Sequence, residues 1–139
     1  MPVDEMTRRN LELVESIRGG ENSGTLLGVL DRTLTPMGAR LLRQWLLAPL
    51  VERGLIDLRL GAVDVLCDTL VRSSMREALD GVRDVERLAG KTAAGRVSPR
   101  ELRALGDSMA RLPLLASAVE RARLLATQRG ESAFATHTG

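Results

Sequence analysis

The strongest constraint on the fold of this chain is its supply of large side chains. Trp45 and Phe134 are the only aromatic residues among 139, whereas leucine occurs 25 times. Sheets favour aromatic and β-branched side chains, while leucine, alanine, arginine and glutamate favour helices. The composition therefore predicts an all-α protein whose core is filled mainly by leucine.

The length and composition fit one globular domain or a piece of a larger protein. Hydrophobic residues make up 44% of the chain and charged residues 27%, which is typical of a folded rather than a disordered chain. Chain size alone predicts that about two-thirds of the unfolded surface is buried on folding. The single cysteine, Cys67, excludes an internal disulfide and a cysteine-based zinc site.

No segment of the sequence indicates a membrane or export. The longest stretch without a charged residue, Asn22–Leu30, has nine residues, whereas a helix that spans a bilayer needs about 20. The first five residues contain no apolar signal-peptide core. The net charge of +2 is too balanced to indicate nucleic-acid binding by itself. We therefore expect a cytoplasmic protein without a membrane partner.

Cap residues and apolar spacing predict a series of helices. Thr35 is a suitable N-cap, Pro36 fits the first helical position, and Pro49 ends that helix. The next helix has an apolar stripe with side chains alternately four and three residues apart. The stripe consists of Ile56, Leu60, Val63, Cys67 and Leu70. This striped helix is expected over residues 55–71. The same kinds of cap and spacing predict three other helices in the first two-thirds of the chain, over residues 25–30, 75–82 and 84–94.

The clearest local signal is a capping box over residues 98–101. Ser98 can cap a helix, Pro99 suits its first position, and the Glu101 side chain can reach back to the Ser98 N–H. The helix that follows has an apolar seam at heptad spacing. The seam consists of Leu102, Leu105, Met109 and Leu112. Pro113 would remove a helical hydrogen bond and clash with the preceding turn, so we expect a kink or break near it.

These elements predict three segments. Residues 1–96 form a helical core segment, an irregular bundle with one very short strand over Asn10–Val14. Residues 97–127 form the long capped helix, and residues 128–139 form a flexible tail. The side chains expected to fill the core are Leu42, Trp45, Leu60, Val63 and Leu88.

Residue types that could support catalysis are not arranged as a site. Gly90-Lys91-Thr92 resembles the end of a phosphate-binding loop, but the glycine required five residues earlier is absent. His137 is the only histidine and falls in the predicted tail. Cys67 belongs to an apolar stripe, where a thiol usually packs as an inert hydrophobe. The sequence therefore predicts no catalytic, cofactor-binding or metal site, and the chain is not expected to be an enzyme.

Arginines offer a DNA-binding alternative. Nearly all the positive charge is arginine, whose planar fork suits phosphate groups. The candidate phosphate contacts are Arg40, Arg43, Arg100 and Arg103. A stand-alone helical module of the helix-turn-helix type would use them in this way. The polar cluster that begins a recognition helix is missing, however, and solvated helix faces account for the same residues.

Five blocks of the sequence give more specific information about fold and function than its composition does. The blocks are Thr7–Leu13, Thr25–Leu50, Ile56–Val63, Asp84–Leu88 and Gly95–Leu105. In order and spacing they closely resemble the core domain of the MutS family of DNA mismatch-repair proteins. The resemblance covers about residues 4–119, and several blocks in one register make it specific.

The resemblance implies a lever-bearing core of the domain III type, which links a DNA clamp to a distant ATPase. Ser98 and Glu101 would fix the start of the first lever helix, and the seam would face the returning lever. ATP and magnesium would bind in another domain of the parent protein, and none in this chain. The implied partners are the returning lever, the clamp and the ATPase, with DNA reached only through the parent. The parent would be a bacterial protein that acts on the nucleoid.

Departures from the family pattern limit the activity expected of this chain alone. The mismatch wedge of the family, Phe-x-Glu, is absent, because Phe134 is followed by Ala135 and Thr136. The mismatch-binding domain, the clamp and the returning half of the core are also missing, so the chain resembles an excised piece. We expect neither mismatch recognition nor ATP hydrolysis from it. We also expect its uncovered seam to favour self-association.

Overall fold

A computed structural model of the chain describes residues 6–7, 11–14 and 24–128. These residues form helices and turns without a strand, which confirms the predicted all-α class. Seven helices lie wholly within the described ranges: α1 (Leu26–Leu30), α2 (Pro36–Leu47), α3 (Arg53–Cys67), α4 (Thr69–Leu79), α5 (Val85–Ala93), α6 (Pro99–Met109) and α7 (Leu112–Gln128). The tail expected after Gln128, with Phe134 and His137, lies outside the described residues.

The chain divides into two compact units, Met1–Val51 and Glu52–Gly139. In the first unit α1 packs against α2. Two N–H groups at the start of α1 donate to the carbonyls of Glu12 and Leu13, at 3.1 and 2.9 Å. The segment around these carbonyls forms turns, and Glu12 has a φ of 46°. The strand expected here is therefore wrong for the described residues, because the carbonyls satisfy a helix start instead of a ladder.

Threonine side chains begin both helices of the first unit. Thr25 Oγ1 accepts from the Gly28 N–H at 3.0 Å, and Thr35 Oγ1 accepts from the Gly38 N–H at 3.1 Å. Both threonines are buried. Each cap satisfies one of the N–H groups that the first helical turn leaves without a partner. Helix α2 starts where the Thr-Pro pair predicts and ends at Leu47, before Pro49.

The single helix expected over residues 55–71 is wrong, because the second unit has two helices there. Helix α3 ends at Cys67, and Asp68 has an extended backbone with a ψ of 124°. The Asp68 carboxylate accepts from the N–H groups of Leu70 and Val71 at 3.0 and 3.1 Å and so caps α4. Aspartate favours such caps over helix interiors. The apolar spacing continues across the break and concealed it.

The core of the second unit lies where α3 and α4 meet α7. Val65, Val71, Ala122 and Ala126 are buried together. Their cluster is extended by partly buried hydrophobic residues, namely Leu66, Met75 and Leu125. Alanine on α7 leaves room for the neighbouring helices to approach closely. Small side chains therefore occupy the centre that leucine was expected to fill.

Of the five residues predicted to fill the core, only one is buried in this chain. Leu88 is buried and Leu42 is half-buried, but Trp45, Leu60 and Val63 are 41%, 60% and 56% exposed. Helix α3 turns Val65 inward, so the regular stripe that contains Leu60, Val63 and Cys67 lies on its exposed side. The periodicity identified an apolar face correctly. It could not identify which element covers that face.

The long helix expected over residues 97–127 is interrupted at Ala110 and Arg111, between α6 and α7, which confirms the break expected near Pro113. Pro113 lies in the first turn of α7, where its missing N–H costs no helical hydrogen bond. Helix α5 packs against α6, and α4 packs against α7. The interruption therefore separates two helices that have different packing partners.

Candidate helix joint at the start of α6

The start of α6 is fixed by a complete capping box. Ser98 Oγ accepts from the Glu101 N–H at 3.3 Å, and the Glu101 carboxylate accepts from the Ser98 N–H at 3.0 Å. Pro99 occupies the first helical position. Two backbone N–H groups are thereby satisfied reciprocally, as the sequence predicts for this motif. The box determines the residue at which α6 begins.

An ion pair extends the capping box to the neighbouring helix. Lys91 Nζ on α5 donates to Glu101 Oε1 on α6, and the two side chains are 34% and 30% exposed. The Arg96 N–H also donates to the Lys91 carbonyl at 2.9 Å, which closes the intervening loop. Gly95 in this loop has a φ of 65°, a conformation that favours glycine. We name Lys91, Ser98 and Glu101 the α5–α6 joint.

The electrostatics of the joint favour an ionised Glu101. The hydrogen bond from Lys91 lowers the pKa of the Glu101 carboxyl most, and the bonds from the Ser98 N–H and hydroxyl lower it further, to about 2. Each of these bonds stabilises the charged form of the carboxyl group. The joint is therefore formed by a carboxylate throughout the neutral range.

We expect the joint to weaken in acid. Because the pKa of Glu101 is lower in the folded chain (about 2) than its ordinary value of 4.5, its stabilisation is complete above the unfolded pKa and is lost as the pH falls from there through about 2. The melting temperature, followed by circular dichroism, should drop less between pH 5 and pH 2 in Glu101→Gln than in the parent chain.

Asp107→Asn is the matched control for this pH series, because Asp107 is an exposed carboxylate on the same helix with only a 4.0 Å pair to Arg103. Its melting temperature should follow the parent chain across the series. Parallel curves for Glu101→Gln and the parent chain would contradict the predicted role of Glu101.

Gly90-Lys91-Thr92 does not form a nucleotide site. These residues lie within α5, where the backbone is engaged in helical hydrogen bonds. The Thr92 hydroxyl donates to the Leu88 carbonyl at 2.8 Å, and Lys91 is held by Glu101. A phosphate-binding loop needs free N–H groups in a curled backbone. These residues therefore do not fit ATP.

Neither a metal-binding cluster nor a membrane-spanning helix occurs within residues 6–7, 11–14 and 24–128. No cluster of histidine, cysteine, aspartate or glutamate there could hold a metal ion. No helix in the same ranges is long and apolar enough to cross a bilayer.

The four arginines considered as phosphate contacts do not form a shared surface within either unit. Arg40 and Arg43 belong to the first unit, and each has an interaction partner. Arg100 and Arg103 are exposed on α6 of the second unit, and Arg103 lies 4.0 Å from Asp107. Each unit thus contributes one exposed pair, which is the arrangement expected of ordinary solvated helix faces.

The predicted apolar seam lies open in this chain, with Leu102, Leu105 and Met109 on α6 and Leu112 at the start of α7. Leu102, Met109 and Leu112 are about half exposed, and Leu105 is partly buried. Apolar side chains at heptad spacing are typical of a surface that packs against another helix.

We expect this seam to cause self-association of the isolated chain. Light scattering at high micromolar concentration should show an average mass above that of one chain. The double variant Leu102→Gln/Met109→Gln should lower that mass, because it removes the two exposed seam side chains that lie on α6. The matched variant Leu60→Gln/Val63→Gln changes a somewhat more exposed apolar pair on α3 and should leave the mass unchanged. A monomeric parent chain would contradict the prediction.

Known proteins are similar to this chain over most of its length. The family model for MutS domain III matches residues 6–136. The chain is 46% identical to the DNA mismatch repair protein MutS of Alkaliphilus metalliredigens over 122 residues, which are 87% of this chain and 14% of that protein. It is 48% identical to MutS of Lysinibacillus sphaericus over 114 residues and to MutS of Salinibacter ruber over 112 residues, or 81% and 80% of this chain and 13% and 12% of those proteins.

The match includes all seven helices and the joint between α5 and α6. The chain spans about one-seventh of the length of the relatives that it matches. The family model covers most of the chain, and nearly half of the aligned residues are identical in these relatives. This similarity establishes common descent. The chain therefore belongs to the MutS domain III family.

Proposed function

We propose that the chain is the first core-and-lever segment of a MutS-like mismatch-repair protein, in which it links a DNA clamp mechanically to an ATPase. The α5–α6 joint is the observation that carries this proposal. A lever transmits force only if its first helix starts at a fixed residue and is tied to its base. Ser98 fixes the start of α6, and the Lys91–Glu101 pair ties α6 to α5.

The chain itself would act neither as an ATPase nor as the mismatch reader. The parent protein would be a DNA-dependent ATPase that binds ATP and magnesium elsewhere, in the bacterial cytoplasm on the nucleoid. Family membership supports this division of labour, and so does the helical position of Gly90-Lys91-Thr92. The partners of the open seam would be the returning lever and, beyond it, the clamp.

A chimera tests the mechanical role. Residues 6–128 replace the matched segment of a bacterial MutS relative, and the mutation frequency of a strain lacking its own MutS is measured. The chimera should restore a low frequency. Lys91→Met in the chimera should raise the mutation frequency toward that of the deficient strain, because it removes the ion pair that links α5 to α6. Arg103→Ala, on the exposed side of α6, is the control and should retain repair.

Equal repair by the Lys91→Met and parent chimeras, at equal protein levels, would refute transmission through the joint. A parent chimera that accumulates normally but fails to repair would contradict the proposed segment role itself.

The competing function is DNA binding by the chain alone. Fluorescence anisotropy of matched and singly mismatched duplexes, titrated at several salt concentrations, separates the two. Flat curves at micromolar protein support the core-and-lever role. Tight binding with a steep salt dependence would indicate phosphate neutralisation by arginine and would favour the DNA-binding module. A preference for the mismatch would contradict our assignment of recognition to other domains.

A further inference from the structure

The second unit consists of two groups of packed helices. Helices α3, α4 and α7 surround the buried cluster that includes Val65 and Ala122, and the most extensive helix contact in the unit is that of α4 with α7. Helices α5 and α6 form a separate packed pair, tied by the Lys91–Glu101 ion pair. The extensive contacts between helices of this unit all occur within one or the other of these two groups.

The chain passes between the two groups at two short connections. The first comprises residues 80–84, between α4 and α5, and the second is Ala110 and Arg111, between α6 and α7. Side chains hold the two connections side by side. The Arg83 N–H in the first connection donates to Ser108 Oγ at 3.0 Å, and Ser108 is 1% exposed at the end of α6.

Arg111 provides the stronger link between the connections. Its Nη2 donates to the Glu77 carbonyl at 2.8 Å, and its Nε lies 3.4 Å from the Ala78 carbonyl. Both carbonyls belong to the last turn of α4, where they have no helical partner. Gly81 follows with a φ of 77°, and a Cβ there would meet the Arg111 guanidinium at 3.9 Å. A single guanidinium thus caps α4 from the point where α6 ends.

We infer that these two adjacent connections form a hinge and that Arg111 holds the hinge at one angle. Two rigid bodies joined at two neighbouring points rotate most easily about the line through those points, since other movements would break close packing. Arg111 and Ser108 are the side chains that resist this rotation. Arg111 is therefore a positioning residue that sets the angle between α6 and α7.

In the proposed function, the hinge is the place where the first lever helix would change its orientation relative to the core. That role rests on the proposed function. The hinge itself rests on the contacts alone. Its test therefore uses the isolated chain, so that its outcome is independent of repair or DNA binding.

Electron–electron distance measurements between two spin labels test the hinge. In a Cys67→Ser background, Arg100→Cys and Arg121→Cys place labels on exposed sites of α6 and α7. Arg111→Ala should widen the distance distribution at least twofold or shift its mean. Ser108→Ala, which removes the bond from the Arg83 N–H and the bond that the hydroxyl donates to the Ala104 carbonyl within α6, should widen it less. Arg111→Lys should restore part of the narrow distribution, because an ammonium group can reach one of the two carbonyls.

The chain offers a matched control for the loss of a guanidinium cap. Arg72 Nη1 donates to the carbonyls of Leu66 and Cys67 at 3.1 and 2.9 Å, so it caps the end of α3 within one helix group. Arg72→Ala should leave the distribution between the labels at 100 and 121 unchanged. A second label pair, Ser73→Cys and Arg121→Cys, reports on distances inside the α3–α4–α7 group.

An unchanged distribution between labels 100 and 121 in both Arg111→Ala and Ser108→Ala would overturn the hinge. Equal widening of both label pairs would also overturn it, because Arg111 would then stabilise the whole unit instead of one angle. Widening confined to the pair that spans the two groups supports it.

Discussion

Replacing Leu88 by alanine is expected to cost about 2–5 kcal/mol of the free energy of unfolding, the usual range for leucine truncated in a packed interior. Leu88 is 9% exposed on α5, the helix that carries Lys91. Its truncation leaves a cavity that the α5–α6 pair can fill only in part. Urea unfolding followed by far-ultraviolet circular dichroism measures the effect as a lower midpoint.

Leu60→Ala is the matched control, because it removes the same atoms from a site on α3 that is 60% exposed. Its expected effect is within about 0.5 kcal/mol. The comparison distinguishes burial in this chain from the apolar periodicity that both residues share. Equal losses at the two sites would show that Leu60 is covered in solution, as in a self-associated state, and would contradict the burial described above.

Replacing Ala122 by leucine is expected to destabilise the chain by about 1–3 kcal/mol, since extra carbon atoms would be forced into a packed interior. Ala122 is fully buried in the cluster where α7 meets α3 and α4. Leucine and alanine have similar helix propensities, so the loss measures packing. Urea unfolding by circular dichroism again provides the measurement.

Ala116→Leu adds the same atoms on the exposed side of α7, and its effect should stay within about 0.5 kcal/mol. If Ala122→Leu were tolerated as well as Ala116→Leu, the core would be loosely packed, and the description of α3, α4 and α7 as one rigid group would fail.

The parts of this fold that the sequence predicts are those set by local chemistry. The Thr35-Pro36 pair and the Ser98–Glu101 box each satisfy N–H groups within one helical turn, so their residue types and spacing identify them without knowledge of the fold. The all-α class follows from summed propensities. Asp68 has a side chain that can cap the next helix, but the apolar spacing continues across it and hides the break between α3 and α4.

The parts that escaped prediction depend on which elements meet. Periodicity indicates that α3 has an apolar face, but it contains no information on whether this chain supplies the cover. The Lys91–Glu101 pair spans ten residues and a loop, and Arg111 reaches α4 carbonyls more than thirty positions earlier. No local spacing rule connects such residues. The candidate site was thus half predictable: its cap from the sequence, its tie to α5 only from the structure.

Lys91 is the only lysine in the chain, so the α5–α6 joint contains the only side-chain amine. Amine-selective acylating reagents have a single side-chain amine to modify, and its acylation would remove the positive charge that Glu101 binds. The rate of acylation at Lys91 then reports how often the Lys91–Glu101 ion pair opens. A chain of this composition carries its own chemical reporter at the contact that holds α5 and α6 together, without any introduced label.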